Sequence, residues 1–110
     1  MGQMRLPLSR IRLSAEAHQR WYRIAYAEPA YPPEAKALGI QGKVVLDAVI
    51  GKDGIVQTLS ARSGDPVLAE SALETVRHWA YRPTTVNGVR VEVETQIEVT
   101  FASPDARVVA

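Results

Sequence analysis

The sequence predicts an α+β domain: a three-stranded antiparallel sheet, made of a hairpin and a long C-terminal strand, with one main helix and a short helix packed on one face. Three observations predict it. Two runs rich in β-branched residues flank an Asp-Gly turn, a capped segment carries apolar residues three and four apart, and a stretch near the carboxyl end alternates strictly between apolar and polar. The chain has 110 residues and a mass of 12.1 kDa, room for one modest core.

Taken in order, residues 1–28 form a basic arm, 29–102 the domain and 103–110 a loose tail. Within the arm, Ser14 ahead of AEAHQR has the chemistry of a helix cap, but RIRL and WYRIAYA read as extended pieces, and an extended arm is the expectation. Three prolines within EPAYPP forbid helix and mark the entry to the domain. Pro33 to Leu38 suits a short helix, with Pro33 in its first turn and Gly39 just past its end. Lys43 to Ile50 and Ile55 to Arg62 then form a hairpin around Gly51-Lys52-Asp53-Gly54.

The main helix is expected from Pro66 to about Trp79. Asp65 caps it, Pro66 fits the first helical position, and Leu68, Ala69, Ala72, Leu73, Val76 and Trp79 supply one apolar face. Asn87-Gly88 turns the chain into the last strand, Val89 to Phe101. Its odd positions are apolar except Thr95 and its even positions polar, a period that buries one face of a strand and no face of a helix. At about 3.3 Å per residue this strand runs about 40 Å, longer than either hairpin strand. It is therefore expected to leave main-chain N–H and C=O groups without a partner. Such an edge is a platform for adding a strand from another chain, and Glu92, Glu94 and Glu98 blunt it against indiscriminate pairing.

Composition removes several classes of function. Without cysteine there is no disulfide, thiolate nucleophile or Cys-based metal site. The net charge of +1 divides into +4 over residues 1–27, with five arginines against Glu16, and −3 over the remainder. That arm is too dilute in charge to imply nucleic-acid binding. No apolar leader or membrane span is visible. His18 and His78 stand far apart in sequence without a metal-ligand partner and read as surface residues. Glu92, Glu94 and Glu98 read as a solvated face, since no Gly-centred calcium loop lies nearby, and Gly51 to Gly54 as a turn rather than a phosphate loop. No enzyme, metal or cofactor is expected. Trp79, Tyr81, Pro83, Tyr31 and Pro32 either seal the ends of the core or flank the strand edge to grip an extended partner; the two uses are compatible.

From about Pro29 to Phe101 the sequence resembles the C-terminal domain of the TonB energy-transducer family. The resemblance rests on Pro29, Tyr31, Pro32, Ala35 and Gly42; on Gly51, Asp53 and Gly54; and on Ser63, Gly64, Leu68, Ala72, Leu73, Val76, Trp79, Tyr81 and Pro83. The Asn-Gly turn and the alternating final strand complete it. Glu28 stands where many relatives have an amide, and Ala80 where a basic residue is common. The resemblance implies a periplasmic module that couples a proton-driven inner-membrane complex to outer-membrane transporters. It also implies that the transporters' TonB-box peptide adds as a strand beside the last strand. By position the platform is Val91, Glu92, Val93, Glu94, Thr95, Gln96, Ile97, Glu98 and Val99, with Glu28, Pro29, Tyr31 and Pro32 beside it. Contact with the inner-membrane complex, and anchoring there, would fall to N-terminal segments absent from this sequence, which is expected to be an excised domain. Two copies pairing through their terminal strands is a related expectation. The alternative reading is a sensory or cell-envelope interaction domain of a larger membrane protein such as a regulatory metallopeptidase, with the basic arm contacting peptidoglycan or lipid.

Overall fold

A computed structural model describes residues 9–102 and 108–109; Arg5 of the arm and residues 103–107 and 110 of the tail lie outside them. The elements run β1 (Arg10–Arg12), α1 (Ala15–Tyr22), β2 (Arg23–Ala25), α2 (Pro33–Leu38), β3 (Gly42–Ile50), β4 (Val56–Ser63), α3 (Pro66–Val76), β5 (Ala80–Tyr81), β6 (Thr84–Val86), β7 (Val89–Phe101) and β8 (Val108–Val109). The antiparallel trio is β7-β3-β4, with β3 in the middle, so the expected α+β architecture is present.

The hairpin forms for the reasons the sequence supplies. Gly54 takes φ +84°, which L side chains rarely adopt, and the Asp53 carboxylate accepts the Ile55 N–H at 3.0 Å. In β3, Val44, Leu46, Ala48 and Ile50 are buried, and in β7 Val91, Val93, Ile97, Val99 and Phe101 are buried on the same face. The alternation runs unbroken through Thr95, also buried, whose hydroxyl donates to the Gln96 carbonyl at 3.4 Å. Helix α3 closes this face with Leu68, Ala69, Ala72 and Val76. At roughly 1.5 to 3 kcal/mol for each fully buried large side chain, this layer is the domain's main source of stability.

Four expectations need correction. The main helix stops at Val76 rather than Trp79: Arg77, His78 and Trp79 donate their N–H groups to Leu73, Thr75 and Val76, a tightened last turn that releases the chain into β5. The arm is not extended throughout. Ser14 accepts the Ala17 N–H at 3.2 Å and caps α1, while only Arg10–Arg12 and Arg23–Ala25 are strands. The tail is not wholly loose, because Val108–Val109 pairs with β7.

Fourth, β7 does not overhang its partners. Residues 93–101 pair with β3, and Val89 to Val91 pair with β6, joined through a turn whose Asn87 and Gly88 have φ +53° and +81°. Backbone groups in a strand alternate direction, so Val89, Val91 and Val93 face the same side and β6 continues where β3 ends.

Candidate strand-addition edge

On its other side β7 has partners at two places. β1 lies parallel to it, with Arg10 opposite Glu92, Ile11 opposite Val93 and Arg12 opposite Glu94, and β8 pairs antiparallel at Thr100 and Phe101. The Glu92 N–H donates to the Ser9 carbonyl at 2.8 Å, and the Glu94 carbonyl accepts from Leu13 at 3.0 Å. Even-numbered residues of β7 therefore turn their main-chain groups to this side. By the same alternation Gln96 and Glu98 face it too, and among the described residues no strand pairs with them there. The expected open edge along Val91 to Val99 is thus narrower: it is occupied at Glu92 to Glu94 and, among the described residues, has no strand partner from Gln96 to Glu98.

Side chains reinforce the arm's pairing. The Arg10 guanidinium donates to the Glu92 carboxylate from Nη2 at 2.8 Å and Nε at 3.0 Å, and reaches Glu94 from Nη1 at 3.3 Å; Arg12 lies 3.6 Å from Glu94. Hydrogen bonds to Glu92 and then Glu94 push the Arg10 pKa further up. Glu98 pairs with Lys43 at 3.4 Å, and Gln96 donates to Asp47 at 3.4 Å. The acidic face is therefore charge-paired, and with the arm above all. The residues Arg10 to Leu13 were missing from the predicted site. Their signal was present as RIRL, a basic and apolar alternation that complements VEVE at Val91 to Glu94, but no local rule pairs segments eighty residues apart.

The segment before α2 is held mainly from the α3 side. Trp79 Nε1 donates to the Ala27 carbonyl at 2.8 Å, and the Ser71 hydroxyl donates to that of Ala30 at 2.5 Å. Pro29 is buried and Glu28 exposed. Tyr31 donates to the Ile40 carbonyl at 2.5 Å and sets its ring edge-on to Phe101, centroids 5.4 Å apart, which brings it to the C-terminal end of β7. No hydrogen bond among the described residues joins Glu28, Pro29 or Pro32 to β7. Trp79 and Tyr81 are core residues, so of the two uses weighed for the aromatic cluster they serve the first.

His18 is the second surprise. Expected at the surface, it is fully buried, stacked between the Tyr81 ring at 4.4 Å and the Tyr22 ring at 5.4 Å, and neither ring nitrogen has a partner among the described residues. Tyr81, which donates to Gln19 at 2.9 Å, is pushed up to about 12 by burial. Burial pushes the His18 pKa down, to about 4 from 6.5. The folded chain thus binds fewer protons than the unfolded one between those values. Stability from the neutral ring is complete above pH 6.5 and falls as pH drops towards 4, by up to about 3 kcal/mol. Amide exchange across α1 is expected to accelerate from pH 6.5 to 4.5 after correction for intrinsic rates. His18→Phe, which keeps the stack, should flatten that response; identical pH profiles in the two proteins would refute this account.

Residues 27–102 match the family described as Gram-negative bacterial TonB protein C-terminal. The chain belongs to the TonB C-terminal family. Protein TonB of Vibrio cholerae serotype O1 is 34% identical over 79 residues, covering 70% of this chain and 32% of that protein. Protein TonB of Xanthomonas campestris pv. campestris is 33% identical over 76 residues, covering 67% and 34%. The domain therefore spans about a third of the length of these relatives. The solution structure of the Pseudomonas aeruginosa TonB C-terminal domain shares the fold, with a TM-score of 0.63 at 22% identity, over 77% of this chain and 88% of that one. In this TonB-family domain, no helix among the described residues is long and apolar enough to cross a membrane.

Proposed function

We propose that this TonB-family domain works in the periplasm as a protein-binding module that captures the TonB-box peptide of outer-membrane transporters by strand addition at β7. In that role it couples inner-membrane proton motive force to uptake, through segments of the full-length protein that precede the domain. One observation carries the reading: the outer edge of β7 already accepts a parallel strand, β1, and continues past it with Gln96 and Glu98 unpaired by any described strand. Main-chain hydrogen bonds along such an edge give affinity that tolerates varied peptide sequences. The buried odd face holds β7 rigid, so a visiting strand meets a prepared template.

The basic arm bears on the alternative of an envelope-contacting domain. Arg10 and Arg12 are engaged by Glu92 and Glu94, and the Arg23 guanidinium stacks 3.6 Å from the Tyr26 ring centroid. With the arm in place these three cations already have partners within the chain, for which a polyanion would have to compete, and this favours the peptide-binding reading. Titrating the 15N-labelled chain with a synthetic TonB-box peptide is expected to shift the amides of Gln96 and Glu98 most, with Val91 to Val99 following at saturation. Shifts confined to α3 or the β3–β4 turn would refute strand addition at this edge.

A further inference from the structure

We propose that β1 is an internal competitor for the strand-addition edge: the domain's own arm fills three of the platform's nine positions, and a peptide gains full purchase only by expelling it. This rests on the reading of β7 as the peptide platform and adds its regulation. Geometry makes the competition direct. The parallel register places Ile11 between Glu92 and Glu94, so its N–H and C=O face β7, flanked by the Ser9 and Leu13 bonds. A visiting strand that used Glu92 or Glu94 would need those same main-chain groups. Past Leu13 the turn into α1 lies beside Thr95 and Gln96, and β8 begins at Thr100. The stretch left over, Thr95 to Val99, is five residues, about 17 Å of strand, whereas Val91 to Val99 offers nine, about 30 Å.

The arm is built to hold the edge weakly. Its pairing covers three residues, and its ion pairs lie at the surface, with the Arg10 side chain 46% exposed, where salt and water screen them. Only Ile11 and Leu13 pack against the core from this segment, and both are half-buried. The stronger fastening is further along the arm, at buried His18 and at the β2–β5 pair. Expelling β1 therefore leaves α1 docked, and the displaced segment stays tethered beside the edge at high effective concentration, ready to close it again.

A closed edge lowers apparent peptide affinity in proportion to the fraction of time it is open, so opening it permanently should tighten binding about tenfold to a hundredfold. Ile11→Pro removes the central N–H and its hydrogen bond; Arg10→Glu with Arg12→Glu sets like charges against Glu92 and Glu94 and serves if the proline variant folds poorly. 15N-labelled 110-residue chains of all three kinds are titrated with the TonB-box peptide, following affinity and amide exchange. Tighter binding by the variants, together with loss of protection at Ile11 and Leu13 when the wild-type chain binds peptide, is the expected result. Equal affinities with Ile11 and Leu13 still protected, while Gln96 and Glu98 shift, would overturn the competitor and leave strand addition standing. No response of the β7 edge in any of the three would overturn both.

Discussion

Gly54→Ala is expected to destabilise the domain by about 3 kcal/mol or more, lowering Tm by more than about 10 °C. A Cβ on Gly54 would lie 1.9 Å from the Tyr81 carbonyl oxygen and 2.9 Å from its carbon. The obstacle is backbone and has no rotamer to escape into. Relief requires moving Tyr81, whose N–H donates to the Gly54 carbonyl at 2.9 Å and whose buried ring stacks on His18. The positive φ of +84° adds the strain of a left-handed alanine. Gly88→Ala is the control. Gly88 has nearly the same φ, +81°, but nothing lies within 4 Å of where an alanine methyl would stand, so its cost should stop at about 1 to 2 kcal/mol. Urea unfolding of both variants separates the two contributions; equal losses would mean that the close approach to Tyr81 is irrelevant.

Trp79→Ala should cost about 3 to 5 kcal/mol, the range for emptying a buried aromatic site. Trp79 is 1% exposed, donates to the Ala27 carbonyl, and meets the Tyr26 ring edge-on at 5.6 Å. The Arg23 guanidinium lies over its ring at 4.9 Å. One side chain thus fills the end of the core and fastens the segment between β2 and the prolines. Truncation should lower the denaturation midpoint followed by far-UV circular dichroism and raise amide exchange between Arg23 and Ala27. A loss below about 1 kcal/mol would show that neighbouring side chains collapse into the space and that the tryptophan is not the fastener.

The hairpin, α2, the start of α3 and the buried face of β7 were all legible in local sequence, because each rests on a period or a turn within a dozen residues. The candidate site was legible only in part. Strict alternation located β7 and its polar face, but an overhang follows from its length only if β3 is its sole neighbour on that side. Thr84–Val86 is β-branched throughout but only three residues long, too short to read as a strand by itself; it becomes β6 because the Asn87-Gly88 turn folds it onto Val89 to Val91. α1 is not expected from sequence even with Ser14 as a cap, since eight residues with the aromatic pair Trp21-Tyr22 at the end have weak intrinsic helicity. Burial of His18 under Tyr81, which sequence alone does not show, is what holds it.

By itself the sequence determined which faces are apolar, where the chain turns and which family's pattern it carries, since these follow from residue type at fixed local spacing. Only the tertiary structure decided which strand lies beside which. It placed an arginine pair of the arm against Glu92 and Glu94, sent a histidine into the core, and left Gln96 and Glu98 unpaired by any described strand on that edge. The physical reason is that hydrogen-bonding capacity along a strand is the same for every sequence. Who fills it depends on which segments the rest of the fold brings within reach.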